Sequence, residues 1–160
     1  MKIDKAARIR RAEELFVAGY NCSQSVVAAF ADIYGYTEEQ ALKLSAGMGG
    51  GMGRLRMTCG AVSAMAILAG MDCGSADPND REGKSNNYKV VQELCERFKE
   101  EHHSLVCAEL LNLRKGAPLS YEASERTAEY YKTRPCVNMV VTAAKIFADY
   151  IEGSSLQNSL

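Results

Sequence analysis

The stretch AGMGGGMGRLRMTCGAVSAMAILAG, Ala46 to Gly70, decides the fold. Its first half places glycine at 47, 49, 50, 51 and 53, and each glycine costs about 1 kcal/mol relative to alanine inside a helix. This half is therefore a loop whose backbone can take positive φ. The second half is apolar on more than one face, through Ala61, Val62, Ala64, Met65, Ile67 and Leu68. It reads as a helix that Thr58 caps and that Gly70 ends at the C′ position. Cys59 is then the first helical residue, facing unpaired N–H groups and the positive end of the helix dipole, with Arg54 and Arg56 just upstream. Such a position favours thiolate and marks a reactive or metal-binding cysteine. The blander reading is a close helix contact with Cys59 as a small core residue.

Upstream of this stretch, Ala7, Ile9, Ala12, Leu15 and Phe16 recur near helical spacing between Asp4 and Gly19. Asn21 caps a second helix from Cys22 to about Tyr34, which Gly35 stops. Thr37 with Gln40 has the capping-box pattern of a short third helix leading into the glycine loop. Downstream, the segment MDCGSADPNDREGKSNN is loop-like and carries Cys73. A helix from about Asn87 to His103 follows, with Cys95 among its core residues. Ser104 caps a short helix through Leu113 that holds Cys107 in its first turn, and Ser120 begins another to about Lys132. Pro135 opens the last helix, with Cys136 in its first turn and apolar residues to Tyr150. The expected fold is all-α, a single compact multi-helix domain over residues 1–151 with about seven or eight helices, followed by a polar tail at 152–160.

The 160 residues are 47% apolar, enough for a substantial core without disulfides. The net charge of −1 and the lack of a basic stripe interleaved with aromatics argue against nucleic acid and anionic membranes as partners. The opening MKIDKAARIRRAEELF is charged throughout, so neither membrane insertion nor a signal segment is expected, and the expected location is cytoplasmic. Six cysteines in that compartment are free thiols, metal ligands or redox groups sooner than a disulfide framework.

Cys22, Cys59, Cys107 and Cys136 fall in the first turns of four different predicted helices, whereas Cys73 and Cys95 do not. If those helix starts converge, their dipoles and free N–H groups would together stabilise several thiolates or an anionic metal–sulfur cluster. The Cys59-Gly60-Ala61 core after a glycine-rich loop, with Tyr20-Asn21-Cys22-Ser23-Gln24 upstream and Cys107 and Cys136 downstream, resembles the C_GCAxxG_C_C family of redox-active proteins over roughly Arg11 to Tyr150. The arrangement is also similar to the non-haem part of split-Soret cytochromes, where the resemblance implies an iron–sulfur type centre in addition to haem. No Cys-x-x-Cys-His haem attachment is present, so no haem is expected. The family's motif has glycine where this chain has Ala64, which bears on close backbone contact along that helix and not on the thiols.

Other signals fail on their spacing. With no Cys-x-x-Cys pair, a zinc ribbon and a thioredoxin-type dithiol both lose support. Gly83-Lys84-Ser85 is preceded five residues earlier by Pro78, and Met52 breaks the Gly-x-Gly-x-x-Gly register after Gly47 and Gly49, so no nucleotide is expected. Asp77 to Tyr88 fails as a calcium loop at Glu82 and Tyr88. His103, four residues before Cys107, reads as a solvated residue at a polar helix end. Two classes of function remain. In the first, Cys22, Cys59, Cys107 and Cys136 hold an iron–sulfur cluster or other metal ion for electron transfer with a redox partner, or Cys59 and Cys22 cycle as thiol and disulfide with Cys59 attacking. In the second, the chain is a helical binding or scaffold module, including a homodimer, with inert cysteines.

Overall fold

Short polar side chains start most of the helices. Asp4 accepts from the Ala7 N–H ahead of α1 (Lys5–Val17). Asn21 with Gln24 closes a capping box on α2 (Cys22–Phe30), and Thr37 with Gln40 closes another on α3 (Glu38–Ser45). After the glycine loop come α4 (Gly60–Cys73) and α5 (Arg81–His102), the latter capped by Asp80. The remaining helices are α6 (Cys107–Leu110), α7 (Ala128–Thr133), which Thr127 caps, and α8 (Cys136–Gln157). This computed structural model describes residues 1–157, and among the described residues no strand occurs. The chain is all-α, as its sequence leads one to expect.

Several boundaries differ from the sequence reading, among them the helix expected from Ser104 through Leu113, which is confined to Cys107–Leu110 with Val106 at its N-cap. Gly70 does not end α4, which continues to Cys73 with Met71 packed against the core. Cys73 therefore lies on a helix and not in a loop. The next helix starts at Arg81 because the Asp80 carboxylate accepts from the Gly83 N–H, leaving only residues 74–80 between helices. Ser120 spends its hydroxyl on the Glu122 N–H in a local turn, so the predicted helix from 120 shrinks to α7. Finally, α8 runs through Gln157 into the segment expected as a tail, and residues 158–160 lie outside the described ones.

Because α4 is apolar all round, it packs on several sides at once, against α2, α5 and α8. Ala61, Ala64 and Ala69 are fully buried on it, and such small side chains let α2 approach closely. Phe30 of α2 meets Phe147 of α8 edge to face, with ring centroids 5.2 Å apart. The long α8 also packs along α1, closing the core around α2 and α4. Among the described residues no helix is long and apolar enough to cross a membrane. The N-terminal end of α4 points into the glycine loop, and there the core opens into a cavity.

Candidate functional site

The glycine loop bends back on itself through main-chain hydrogen bonds. The N–H groups of Gly53, Arg54, Arg56 and Met57 donate to the carbonyls of Gly47, Gly49, Gly50 and Gly51. Gly50, Gly51 and Gly53 take left-handed φ, and so do Met52, Arg54 and Arg56, at 68°, 69° and 63°. For the three non-glycine residues this costs on the order of 1 kcal/mol each, so the loop must be held by what it touches. A Cβ on Gly51 would stand 2.7 Å from Cβ of Cys107, and one on Gly50 would stand 2.8 Å from Cγ of Arg54. A Cβ on Gly60 would stand 2.7 Å from the Cys22 sulfur. The space these glycines leave is filled by two cysteines and an arginine.

A short antiparallel bridge joins the end of this loop to the segment before α6. Thr58 pairs with Val106, the Cys59 N–H donates to the Leu105 carbonyl, and the Cys107 N–H donates to the Met57 carbonyl. Thr58 stands within the bridge, and α4 starts one residue later than expected, with Cys59 itself at the N-cap position. Cys22, Cys107 and Cys136 are the first residues of α2, α6 and α8, as their sequence positions predict. All four cysteines line one cavity of about 400 Å³. Cys59 and Cys107 are buried, Cys22 and Cys136 keep some accessible surface, and all are free thiols.

The other candidates lie elsewhere. Cys95 packs against the core from α5. Cys73 donates its S–H to the Ala69 carbonyl at 3.3 Å. His103 is the exposed left-handed C-cap of α5 and does not line the cavity.

Burial dominates the electrostatics of the site. It pushes the Cys59 thiol up to about 12, with Cys22 adding to the effect while the N–H groups of Ala61 and Val62 oppose it. Burial likewise pushes Cys136 up to about 11, against the pull of Arg134. Cys22 is raised by burial too, with the Gly50 N–H opposing. The expectation of a low-pKa Cys59 is therefore overturned, because loss of solvent outweighs the helix start. Nor do the loop arginines face Cys59. Arg56 reaches Cys107, its Nη1 lying 3.8 Å from the sulfur, and Arg54 donates to the Glu122 carbonyl.

As they stand, the four sulfurs do not surround one ion. Among the described residues no three Cys, His, Asp or Glu side chains are placed to hold a metal ion. The walls also contain groups that the sequence reading passed over. Arg126 lies 4.6 Å over the Phe16 ring and 4.7 Å over the Tyr130 ring, and it donates to the carbonyls of Phe16 and Tyr20. Arg134 lies 5.5 Å over Tyr130. Its place two residues before Cys136 was a usable signal. Arg126 offered none, since it sits in the long irregular segment ahead of α7.

A family model described as "Putative redox-active protein (C_GCAxxG_C_C)" matches residues 20–150. The match takes in all four cavity cysteines and the whole glycine loop. No curated protein and no solved structure matches the chain.

Proposed function

From the premise that the chain belongs to the C_GCAxxG_C_C family of redox-active proteins, we propose that Cys22, Cys59, Cys107 and Cys136 hold an iron–sulfur cluster for electron transfer. The observation that carries this reading is the gathering of four free cysteines, from four separate chain segments, on one largely buried cavity. Burial there makes bare thiolates costly, so the sulfurs either stay protonated or face something cationic. A thiol that coordinates metal is deprotonated outright, which removes that cost. The donor set contains only sulfur, as soft metals and iron–sulfur cores prefer. Such a core spreads its ligands around several atoms, so it does not need three sulfurs about a single ion.

The chain's own residues divide the work. The four cysteines bind, and the glycines at 50, 51 and 60 leave room for sulfur and arginine where a Cβ would collide. The N–H groups of Gly50, Ala61 and Val62 donate toward Cys22 and Cys59, a contact that stabilises negative charge on sulfur and raises a reduction potential. When bound, the cluster would supply one-electron chemistry. The reading goes with a reducing compartment such as the cytoplasm, where free thiols persist.

One observation favours a second reading. Cys22 is near enough to push the Cys59 thiol up, so the pair could cycle as dithiol and disulfide with release of two electrons and two protons. Against it stands the raised Cys59 thiol, since exchange needs a thiolate. Protein made anaerobically in iron-replete cells decides between them. The expected result is iron with acid-labile sulfide and a visible absorbance that dithionite bleaches. Absence of both elements, with a reversible Cys22–Cys59 disulfide, would establish the thiol reading, and unreactive metal-free cysteines would leave a helical scaffold.

A further inference from the structure

Elsewhere in the chain several positively charged side chains meet carboxylates. Arg8 pairs with Asp32, Arg11 with Glu38, and Lys5 with Asp149 and Glu152. The cavity breaks this pattern. Four arginines line it, Arg54, Arg56, Arg126 and Arg134, and among the described residues no aspartate or glutamate does.

Their donors are not equally engaged. Arg126 spends its guanidinium on two main-chain carbonyls, the Tyr131 hydroxyl and the faces of Phe16 and Tyr130. Arg56 points at Cys107. Arg54 donates to the neutral Glu122 carbonyl through one nitrogen, while its Nε is buried without a partner. Among the described residues Arg134 makes no side-chain hydrogen bond or ion pair and only overlies Tyr130. Arg54 comes from the glycine loop and Arg134 from the C-cap of α7, yet both line this one cavity. Burying an unpaired donor beside a second cation is unfavourable until an acceptor with negative charge bridges them.

We propose that Arg54 and Arg134 form an oxyanion site in the same cavity, beside the four cysteines, and that a phosphate-like or sulfate-like group is its ligand. Guanidinium forks match the paired oxygens of such groups better than any peptide carbonyl does. The inference deepens the redox reading, on which it rests for the ligand's role beside a redox centre, but binding itself needs only the arginines. The cavity, about 400 Å³, has room for an organic body attached to the anion, so the source is either a free inorganic ion or the head group of a larger molecule.

Titration calorimetry on the anaerobically prepared full chain tests the site, with inorganic phosphate, sulfate and phenyl phosphate as probes in chloride of matched ionic strength. One saturable site is expected, weakened at least tenfold by Arg54→Gln and by Arg134→Gln and unchanged by Arg97→Gln, which lies outside this cavity. Arg134→Lys, which keeps the charge and loses the fork, should weaken binding less than Arg134→Gln. Circular dichroism and iron and sulfide content should match the parent in all of them. Tighter binding of phenyl phosphate than of phosphate assigns the anion to an organic molecule, and equal binding assigns it to the free ion. Lack of saturable binding overturns the proposal, as does binding that ignores both substitutions. Loss of iron and sulfide in the arginine variants would also overturn it, since the arginines would then serve the cluster. Arginine-dependent binding in a parent protein without iron or sulfide would sink the cluster and leave the oxyanion site standing.

Discussion

The helix α4 carries a cysteine at each end, and the two ends treat sulfur in opposite ways. At the start, Cys59 is buried, meets the N–H groups of Ala61 and Val62, and shares its cavity with three more cysteines and four arginines. At the finish, Cys73 donates its own proton to the Ala69 carbonyl and accepts from Asn87 at 3.4 Å. Its neighbour Asp72 accepts from the hydroxyls of Tyr34 and Tyr150. The first end presents donors, which suit a sulfur carrying negative charge. The second presents a carbonyl acceptor to the S–H of Cys73, beside a single side-chain donor from Asn87. The polarity of the helix thus assigns the two sulfurs different chemistry, and the other three cavity cysteines also open helices.

The largest expected effect lies in reactivity. In metal-free reduced protein the Cys59 thiol, held at about 12, should alkylate at pH 8 roughly a thousandfold more slowly than an ordinary thiol titrating near 9. The same shift has a sign for stability. A thiol raised on folding contributes fully below pH 9, and that contribution is lost as pH rises from 9 through 12, a decline that Cys59→Ala should flatten in alkaline denaturation curves. Rapid labelling of Cys59 at neutral pH would mean that the donors at the helix start outweigh burial.

Next in size is cofactor content. Cys59→Ser should cut iron and sulfide at least tenfold, whereas Cys73→Ser should retain them. Equal losses would mean that the two ends are not distinct.

Glycines sharpen the comparison further. A methyl group at Gly60 meets the Cys22 sulfur and the Met48 carbonyl, so Gly60→Ala should cost about 1–3 kcal/mol in urea unfolding. Gly70, ten residues along the same helix, has nothing within 4 Å of its added Cβ, and Gly70→Ala should gain about 0.5–1 kcal/mol. The smallest effect belongs to Cys73→Ala, which removes two weak sulfur hydrogen bonds and should stay within about 1 kcal/mol of the parent.

Much of this arrangement was legible before any coordinates. The capping residues Asp4, Asn21 and Thr37 mark helix starts because a short polar side chain reaches only nearby N–H groups, a purely local fact. The position of Cys22 follows from the same signal, whereas Ser104 does not cap the helix of Cys107, whose N-cap is Val106 with no side-chain bond. Long-range facts were not legible. Thr58 looks like a cap until Val106 claims it, and nothing near Thr58 in the chain announces that pairing. The direction of the Cys59 shift was misread for the same reason: burial depends on Cys22, the glycine loop and α6 closing over it. Arg126 enters the cavity from the irregular chain before α7, where no periodicity marks its destination.

The bridge between Met57–Cys59 and Leu105–Cys107 bears on how the protein is made. It joins segments separated by two long helices, and the fourth cysteine waits at the start of the last one. On a ribosome, Cys22 and Cys59 emerge well before Cys107 and Cys136, so an early chain offers two of the cavity's sulfurs and never all four. On the cluster reading, loading must follow synthesis through Cys136, and any factor that delivers the cluster would meet a folded or nearly folded acceptor. Until then the early cysteines are open to wrong pairings and stray metals, a hazard set by the order in which these residues are synthesised.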